Sequence, residues 1–232
     1  MPNSIKIFFL LSGAILIHYN PATSQDITSS YRFVKNKQEG GIFIGNTKLN
    51  SGQFGLGPKS AYVYGGRYSV AFASALAFEG SGTIFKGKRD VIDVRRNDNE
   101  QLIGQSTIDL YLFDAKLKLN LTGQRTWRGL QPFVAFGGGM ALSSSLERSL
   151  EKTANIPVEY QYNFGSKFVG TLAAGLNFHL SSKIMMRLDG VMNIWKIVTP
   201  PGWLTTEADL GIIEGDEWVA AQHLSIGTSW RF

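Results

Sequence analysis

The stretch that closes on Ser229-Trp230-Arg231-Phe232 alternates apolar and polar residues down to its terminal aromatic. Phe232, Trp230, Thr228, Ile226, Leu224 and Ala220 share one face of an extended segment, and Arg231, Ser229, Gly227, Ser225 and His223 share the other. Successive side chains of a strand point to opposite faces, so this period of two defines one greasy and one polar side. Such a strand suits a wall whose outer surface meets hydrocarbon. An edge strand of a soluble sandwich that ends on Phe is the competing reading, and the remainder of the chain has to separate the two.

The N-terminus favours export. Lys6 is the only charge before an apolar core over 5–17, followed by His18-Tyr19-Asn20-Pro21 and then Ala22-Thr23-Ser24. A positive start, a short apolar centre and small residues at the −3 and −1 positions describe a signal peptide cleaved after Ser24. The apolar run is too short to span a bilayer as a helix, and no later segment reaches about 18 apolar residues. The chain has no Cys, so neither disulfides nor thiolate metal sites hold it together. Its net charge of +5 over 232 residues is too small to imply nucleic acid as a partner. Export without a helical span leaves a soluble periplasmic domain or a β-barrel.

Period-two segments run over about 39–49, 59–68, 71–86, 107–121, 129–142, 166–180, 183–197 and 217–232, and eight strands is an even count. Their connections alternate in length: short after the second, fourth and sixth, long after the first, third, fifth and seventh. Short turns at one end and long loops at the other are the mark of single-chain outer-membrane barrels, with turns and termini on the periplasmic side. The faces sort accordingly. Tyr111, Phe113, Ala115, Leu117, Leu119 and Leu121 oppose Asp114, Lys116, Lys118 and Asn120. Phe168, Leu172, Leu176 and Phe178 oppose Thr171, Ala173, Gly175 and Asn177, and Ile184, Met186 and Leu188 oppose Arg187 and Asp189. Phe72, Leu76 and Phe78 oppose Ala73, Ala75, Ala77 and Glu79. A narrow eight-stranded lumen accepts the small and charged faces more readily than the aromatic ones. For the first two strands the pattern leaves open whether Ile42 and Ile44 or Phe43 face outward. Tyr68, Phe72, Trp127, Phe178, Trp230 and Phe232 gather near the short turns as a candidate girdle, with Trp195, Trp203 and Trp218 toward the long-loop end.

The mature chain therefore resembles the small outer-membrane β-barrel family of the OmpA/OmpX type over about 40–232. Gly129-Leu130-Gln131-Pro132-Phe133 with Gly137-Gly138-Gly139 is similar to that family's fifth strand, and Arg187-Leu188-Asp189 with Trp195-Lys196 to its seventh. Leu224, Ile226, Trp230 and Phe232 resemble its C-terminal assembly signal. The resemblance implies an all-β fold, an eight-stranded antiparallel up-and-down transmembrane β-barrel located in the outer membrane. It divides the chain into a signal peptide (1–24), an N-terminal periplasmic segment (25–38) and the barrel (39–232). It implies a monomer in contact with outer-membrane lipids, lipopolysaccharide and the barrel assembly machinery, with no cofactor.

The candidate site is a lumenal charge network: Glu79, Asp114 and Asp189 paired with Lys116, Lys118, Arg187, Arg231 and, at similar height, Arg67. Buried charges need partners, so a structural plug is the first reading and a gated ion path the second. His223 and Ser225 share a face and resemble the His-x-Ser pair of outer-membrane lipid A deacylases. Ile226 stands where that family has Asn, no acid follows on a later strand, and the pair points into the lumen. The stretch 86–98, of mixed charge, reads as a solvated extracellular loop, with contact to anionic lipopolysaccharide or a host surface as the alternative. Gly137-Gly138-Gly139 lies mid-strand and relieves crowding or permits a bend. The expected function is non-enzymatic, structural or surface-interacting through the long loops, and the runner-up is a narrow porin-like channel.

Overall fold

A computed structural model describes residues 31–34, 38–52, 55, 57–96, 100–144, 149–204 and 215–232. The signal-peptide segment lies outside the described residues. Among the described residues ten strands form one sheet: β1 (Tyr31–Phe33), β2 (Gln38–Leu49), β3 (Ser60–Ala71), β4 (Leu76–Ile92), β5 (Leu102–Asn120), β6 (Arg125–Trp127), β7 (Leu130–Ser143), β8 (Ser166–His179), β9 (Ile184–Val198) and β10 (Asp216–Arg231). Eight of them, all but the short β1 and β6, pair antiparallel with their neighbours, and β10 pairs with β2 to shut the cylinder. Among the described residues two single-turn α-helices, α1 (Ser149–Thr153) and α2 (Pro201–Leu204), sit in the long loops.

The stagger follows from the ladders. The row that starts at Glu39 passes through Ser69, Glu79, Lys116, Gly137, Thr171, Asn193 and Ala221, and returns to β2 at Leu49, ten residues further along. For eight strands this shear tilts the chain by about 41° and gives a backbone radius of about 8 Å. Height along the axis then changes by about 2.5 Å per residue and about 3 Å per strand.

Polarity is reversed relative to a soluble barrel. Ile42, at 68% exposure, Phe113 and Phe168 stand on the outer wall, whereas Lys118 and Arg187, each at 2%, and Glu79, at 0%, are inside. The open question in β2 is settled by Phe43, which is buried, with Ile42 and Ile44 outside. Tyr68, Phe72, Trp127, Phe178, Trp230 and Phe232 are all exposed at the short-turn end, and the rings of Tyr68 and Phe232 approach to 6.4 Å.

Several expectations need correction. The second turn comes later than the pattern suggests: β3 runs on to Ala71 and the turn occupies 72–75, so Ala73, which is exposed, and Ala75, which is half-buried, belong to that turn and not to a strand face. Apolar turn residues had extended the alternation past its true end. The stretch 86–92 is strand, not loop; β4 continues to Ile92 through an irregularity at Val91/Ile92, and Arg89 turns inward to full burial. Trp195 and Trp203 are buried inside the long-loop end, and of the three upper tryptophans Trp218 is the exposed one. Finally, the lumen is not polar throughout. Phe85, Ile108, Leu110, Leu112, Val169 and Trp195 fill its upper half as an apolar core.

At the other end, β1 lies antiparallel to β6 inside the 121–129 turn, with Phe33 opposite Arg125, whose guanidinium lies 5.4 Å from the Phe33 ring. Residues 31–33 are thereby tied to the short-turn end of the barrel.

Candidate functional site

The lower lumen is an ionic lattice built from inward positions of five strands. Arg187 on β9 reaches across to Glu79 on β4 with both terminal nitrogens, Nη2 at 3.2 Å from Oε1. Its Nε donates to Asp189 at 2.5 Å, and Asp189 also accepts from Arg67 Nη1 on β3. Lys116 and Lys118 on β5 flank Glu79 at 3.5 and 3.6 Å. Lys118 donates to Glu39 on β2 as well. Lys116 lies 3.3 Å from Asp114 and donates to Ser81 Oγ at 2.9 Å, and Ser81 in turn donates to Asp114. Four cations, Arg67, Lys116, Lys118 and Arg187, thus face four anions, Glu39, Glu79, Asp114 and Asp189, and the lattice is neutral. Glu79 and Asp189, each with two or more charged donors, and Arg187, with two carboxylates, have the arrangement that offsets the cost of removing such charges from water, whereas Arg67 meets Asp189 alone.

Two aromatic rings complete the lattice. Phe43 lies over Gly65, its ladder partner, and carries the Arg67 guanidinium at 4.6 Å; Phe133 lies over Gly175 in the same way and carries Arg187 at 4.1 Å. A Cβ on Gly65 or Gly175 would come within 2.7 Å of the ring, so the two glycines create the seats in which these cation–π pairs form.

Of the residues expected in the network, Glu79, Asp114, Lys116, Lys118, Arg187 and Asp189 are brought together, with Arg67 among them. Arg231 stands at the short-turn rim, across the ladder from Glu39, and donates to the Ser181 carbonyl at 2.6 Å. Glu39 and Ser81 were missed. Glu39 has the inward parity of Phe43, a signal that was usable only once the face of β2 was known. His223 and Ser225 do point inward together, and Ser225 sits opposite Asp189 on the neighbouring β9, an acid that a search downstream in sequence could not find. That carboxylate is already held by Arg67 and Arg187, and His223 packs edge-on against Phe85 at 5.8 Å. The pair is walled off from the acyl chains outside.

Above the lattice the long loops fold onto the barrel mouth. Arg89 pairs with Glu151 of α1 at 3.0 Å and lies 5.2 Å from the Tyr162 ring, while the Tyr162 amide donates to the same Glu151 at 3.1 Å. Asp93 accepts from Arg95 Nε and Nη2, each at 2.8 Å, and Arg95 stacks 5.4 Å from the Tyr160 ring. Those hydrogen bonds from Arg95 hold the Asp93 carboxyl below the ordinary aspartate range. Trp203 of α2 donates to the Tyr160 carbonyl at 3.2 Å. Three loops are tied into one cap whose underside, Tyr162, Phe164 and Trp203, joins the apolar core. Small cavities of about 20 Å³ beside Glu79 and about 10 Å³ beside Glu39 and Lys118 border the lattice, each with room for one water at most.

No protein-family model matches this chain, and no characterised protein matches it by sequence. Solved structures do match by fold. Neisserial surface protein A superposes with a TM-score of 0.52 at 11% identity, covering 84% of this chain and 97% of its own. The outer membrane protein OprG from Pseudomonas aeruginosa gives 0.54 at 12% identity, covering 86% and 98%. Strand number, closure and reversed polarity define the class: an eight-stranded outer-membrane β-barrel. Within that class the chain has the architecture of the small barrels represented by these two proteins.

Proposed function

We propose that the protein is a non-enzymatic, non-conducting barrel of the outer membrane, acting in envelope structure or in surface interaction through its tied long loops. The observation that carries this is the double closure of the lumen, by a neutral ionic lattice below and an apolar core with a loop cap above. An ion path would have to break a set of buried pairs and then cross about 10 Å of packed aliphatic and aromatic side chains. The lattice charges, Glu79, Asp114, Lys116, Lys118, Arg187, Asp189 and the rim residue Arg231, act in this reading as a structural plug. Leu224, Ile226, Trp230 and Phe232 form an outward stripe that the assembly machinery reads after a signal peptide over 1–24 has directed export. The refolded protein in planar bilayers is expected to give no current steps at moderate voltage. Regular steps in the wild type, altered by Arg187→Gln, would replace this reading with the narrow channel.

A further inference from the structure

A spanning strand keeps its outward positions apolar up to the edge of the hydrocarbon. On β2, β3 and β4 the outward face turns polar and basic toward the long-loop end. The outward residues read Asn46 and Lys48, then Ser60, then Lys86 and Lys88, and all of them are exposed. The ladders set them side by side: Lys48 beside Ser60 beside Lys88, and in the row beneath, Asn46 beside Tyr62 beside Lys86. Lys48, Lys86 and Lys88 stand about 22–29 Å above Glu39, where a band about 25 Å tall that starts at the lower girdle gives way to headgroups.

Two carboxylates share this wall. Asp90 is held by Lys59 at 2.5 Å, and Asp109 is the ladder partner of Lys86. Lys48 and Lys88 have no carboxylate within ion-pair reach among the described residues. Four lysines against two aspartates leave the patch with a surplus of two positive charges.

The patch is also shaped. A cavity of about 620 Å³ lies between Tyr62, Lys86, Lys88 and Thr107. It shares Asn46 and Ser60 with a groove of about 940 Å³ that runs down the outer wall toward mid-bilayer. The floor of that groove is Ala174 facing Gly190 across the β8–β9 ladder, and its sides are Phe136, Leu172 and Leu224. A cationic pocket at headgroup height opens downward into an apolar trough.

We propose that this wall binds one anionic amphiphile of the outer leaflet, a phosphorylated glycolipid. Lys48, Lys86 and Lys88 take its phosphate groups and the Ala174–Gly190 trough takes an acyl chain. This rests on the barrel spanning the outer membrane and adds a partner to that reading. Charge and its spacing select the occupant: a zwitterionic phospholipid has no net charge to meet the surplus, a phospholipid with one phosphate offers a single anion to lysines spread over two ladder rows and three strands, and a soluble polyanion has no use for the trough.

The test is native mass spectrometry of the full-length folded protein in detergent. The probes are a bisphosphorylated acylated glucosamine disaccharide, its dephosphorylated analogue, and inorganic phosphate. The wild type is expected to retain one bisphosphorylated lipid. The triple variant Lys48→Gln/Lys86→Gln/Lys88→Gln should bind it about 100-fold more weakly, and the triple Lys→Arg variant nearly as well as wild type. Ala174→Leu with Gly190→Leu, which fills the trough, should also weaken it, and Lys183→Gln at the opposite end should not. Heat-modifiable gel mobility verifies that each variant is folded. Equal retention by the Gln triple variant, or equal binding of the dephosphorylated analogue, overturns the proposal. Phosphate binding at the lysines with an unaffected trough variant would make this a soluble-anion site and overturn the lipid assignment. Failure of the spanning reading would show separately, as absence of the protein from outer-membrane fractions.

Discussion

Glu79 is the residue on which the lower lumen turns, and replacing it with Gln isolates the electrostatic part of its role. The side chain is fully buried and is contacted by Arg187, Lys116 and Lys118. Glu79→Gln keeps the shape but leaves four cations against three anions, an uncompensated charge in a lumen with room for one water beside it. Removing one partner of a buried pair costs about 3–5 kcal/mol, and Arg187 retains Asp189, so the loss should fall toward the lower half of that range. Reversible urea unfolding of the barrel in lipid vesicles, followed by tryptophan fluorescence, measures it. Arg187→Met alone should cost a similar amount by leaving Glu79 with only its two lysines. The double variant Glu79→Gln/Arg187→Met restores neutrality, so it should lose at least about 2 kcal/mol less than the sum of the single losses. A loss under about 1 kcal/mol for Glu79→Gln, with additive behaviour in the double variant, would mean that water solvates these charges. The plugged lumen would then be wrong.

Three further outcomes are expected. A Cβ on Gly137 would lie 2.0 Å from the Ala115 carbonyl oxygen and one on Gly139 1.9 Å from that of Phe113, while one on Gly80 meets nothing within 4 Å. Gly137→Val and Gly139→Val should therefore abolish the heat-modifiable folded band and Gly80→Ala should retain it; a folded Gly139→Val barrel refutes the close approach of β5 and β7. Asp93 has a folded-state pKa below its unfolded value near 3.9, so its contribution is complete above about pH 4 and fades as the pH falls through the folded value. Asp93→Asn should make the cap more protease-sensitive at pH 7, and the difference between wild type and variant should shrink as the pH falls below about 4; a difference that does not change with pH would assign the effect to packing. Phe232→Ala should lower the amount of barrel recovered from outer membranes while leaving refolding into detergent micelles intact, and a parallel loss in both would give Phe232 a purely structural role.

Much of the barrel was legible because its two surfaces differ in kind. In β5, Leu117 and Leu119 alternate with Lys116 and Lys118, and no other arrangement of that strand satisfies both sets. The same contrast fades toward the mouth, where Ile108, Leu110 and Leu112 point inward beside outward Tyr111 and Phe113. Both faces are apolar there, and alternation carries no sign. Charge therefore marks the inward face only in the lower half, and the apolar core above it has no signature in the alternation. The true turn at 72–75 was hidden by apolar Phe72, Ala73 and Ala75, and the inward Arg89 by a stretch rich in charge that reads as loop. The cap could not be found from periodicity at all. Arg89–Glu151 and Arg95–Tyr160 join residues some sixty positions apart, and pairing at that distance is a property of the closed cylinder and its stagger. The lysine patch was visible as composition at Lys86 and Lys88, but its meaning depends on which wall those side chains occupy and at what height.

The seam between β2 and β10 joins residues 172 positions apart at Leu49–Ala221 and 192 apart at Glu39–Arg231. A contact of that sequence separation repays its loop entropy only when everything between is in place. Until then β2 and β10 are both unsatisfied edges, carrying Ile42, Ile44, Ile226 and Trp230 toward any similar chain they meet. The zipper at residue 39 thus makes folding nearly all-or-none. The chain must be kept apart from its copies in transit, and a catalyst that holds two edges together until the last ladder registers would speed the one step the polypeptide performs poorly alone.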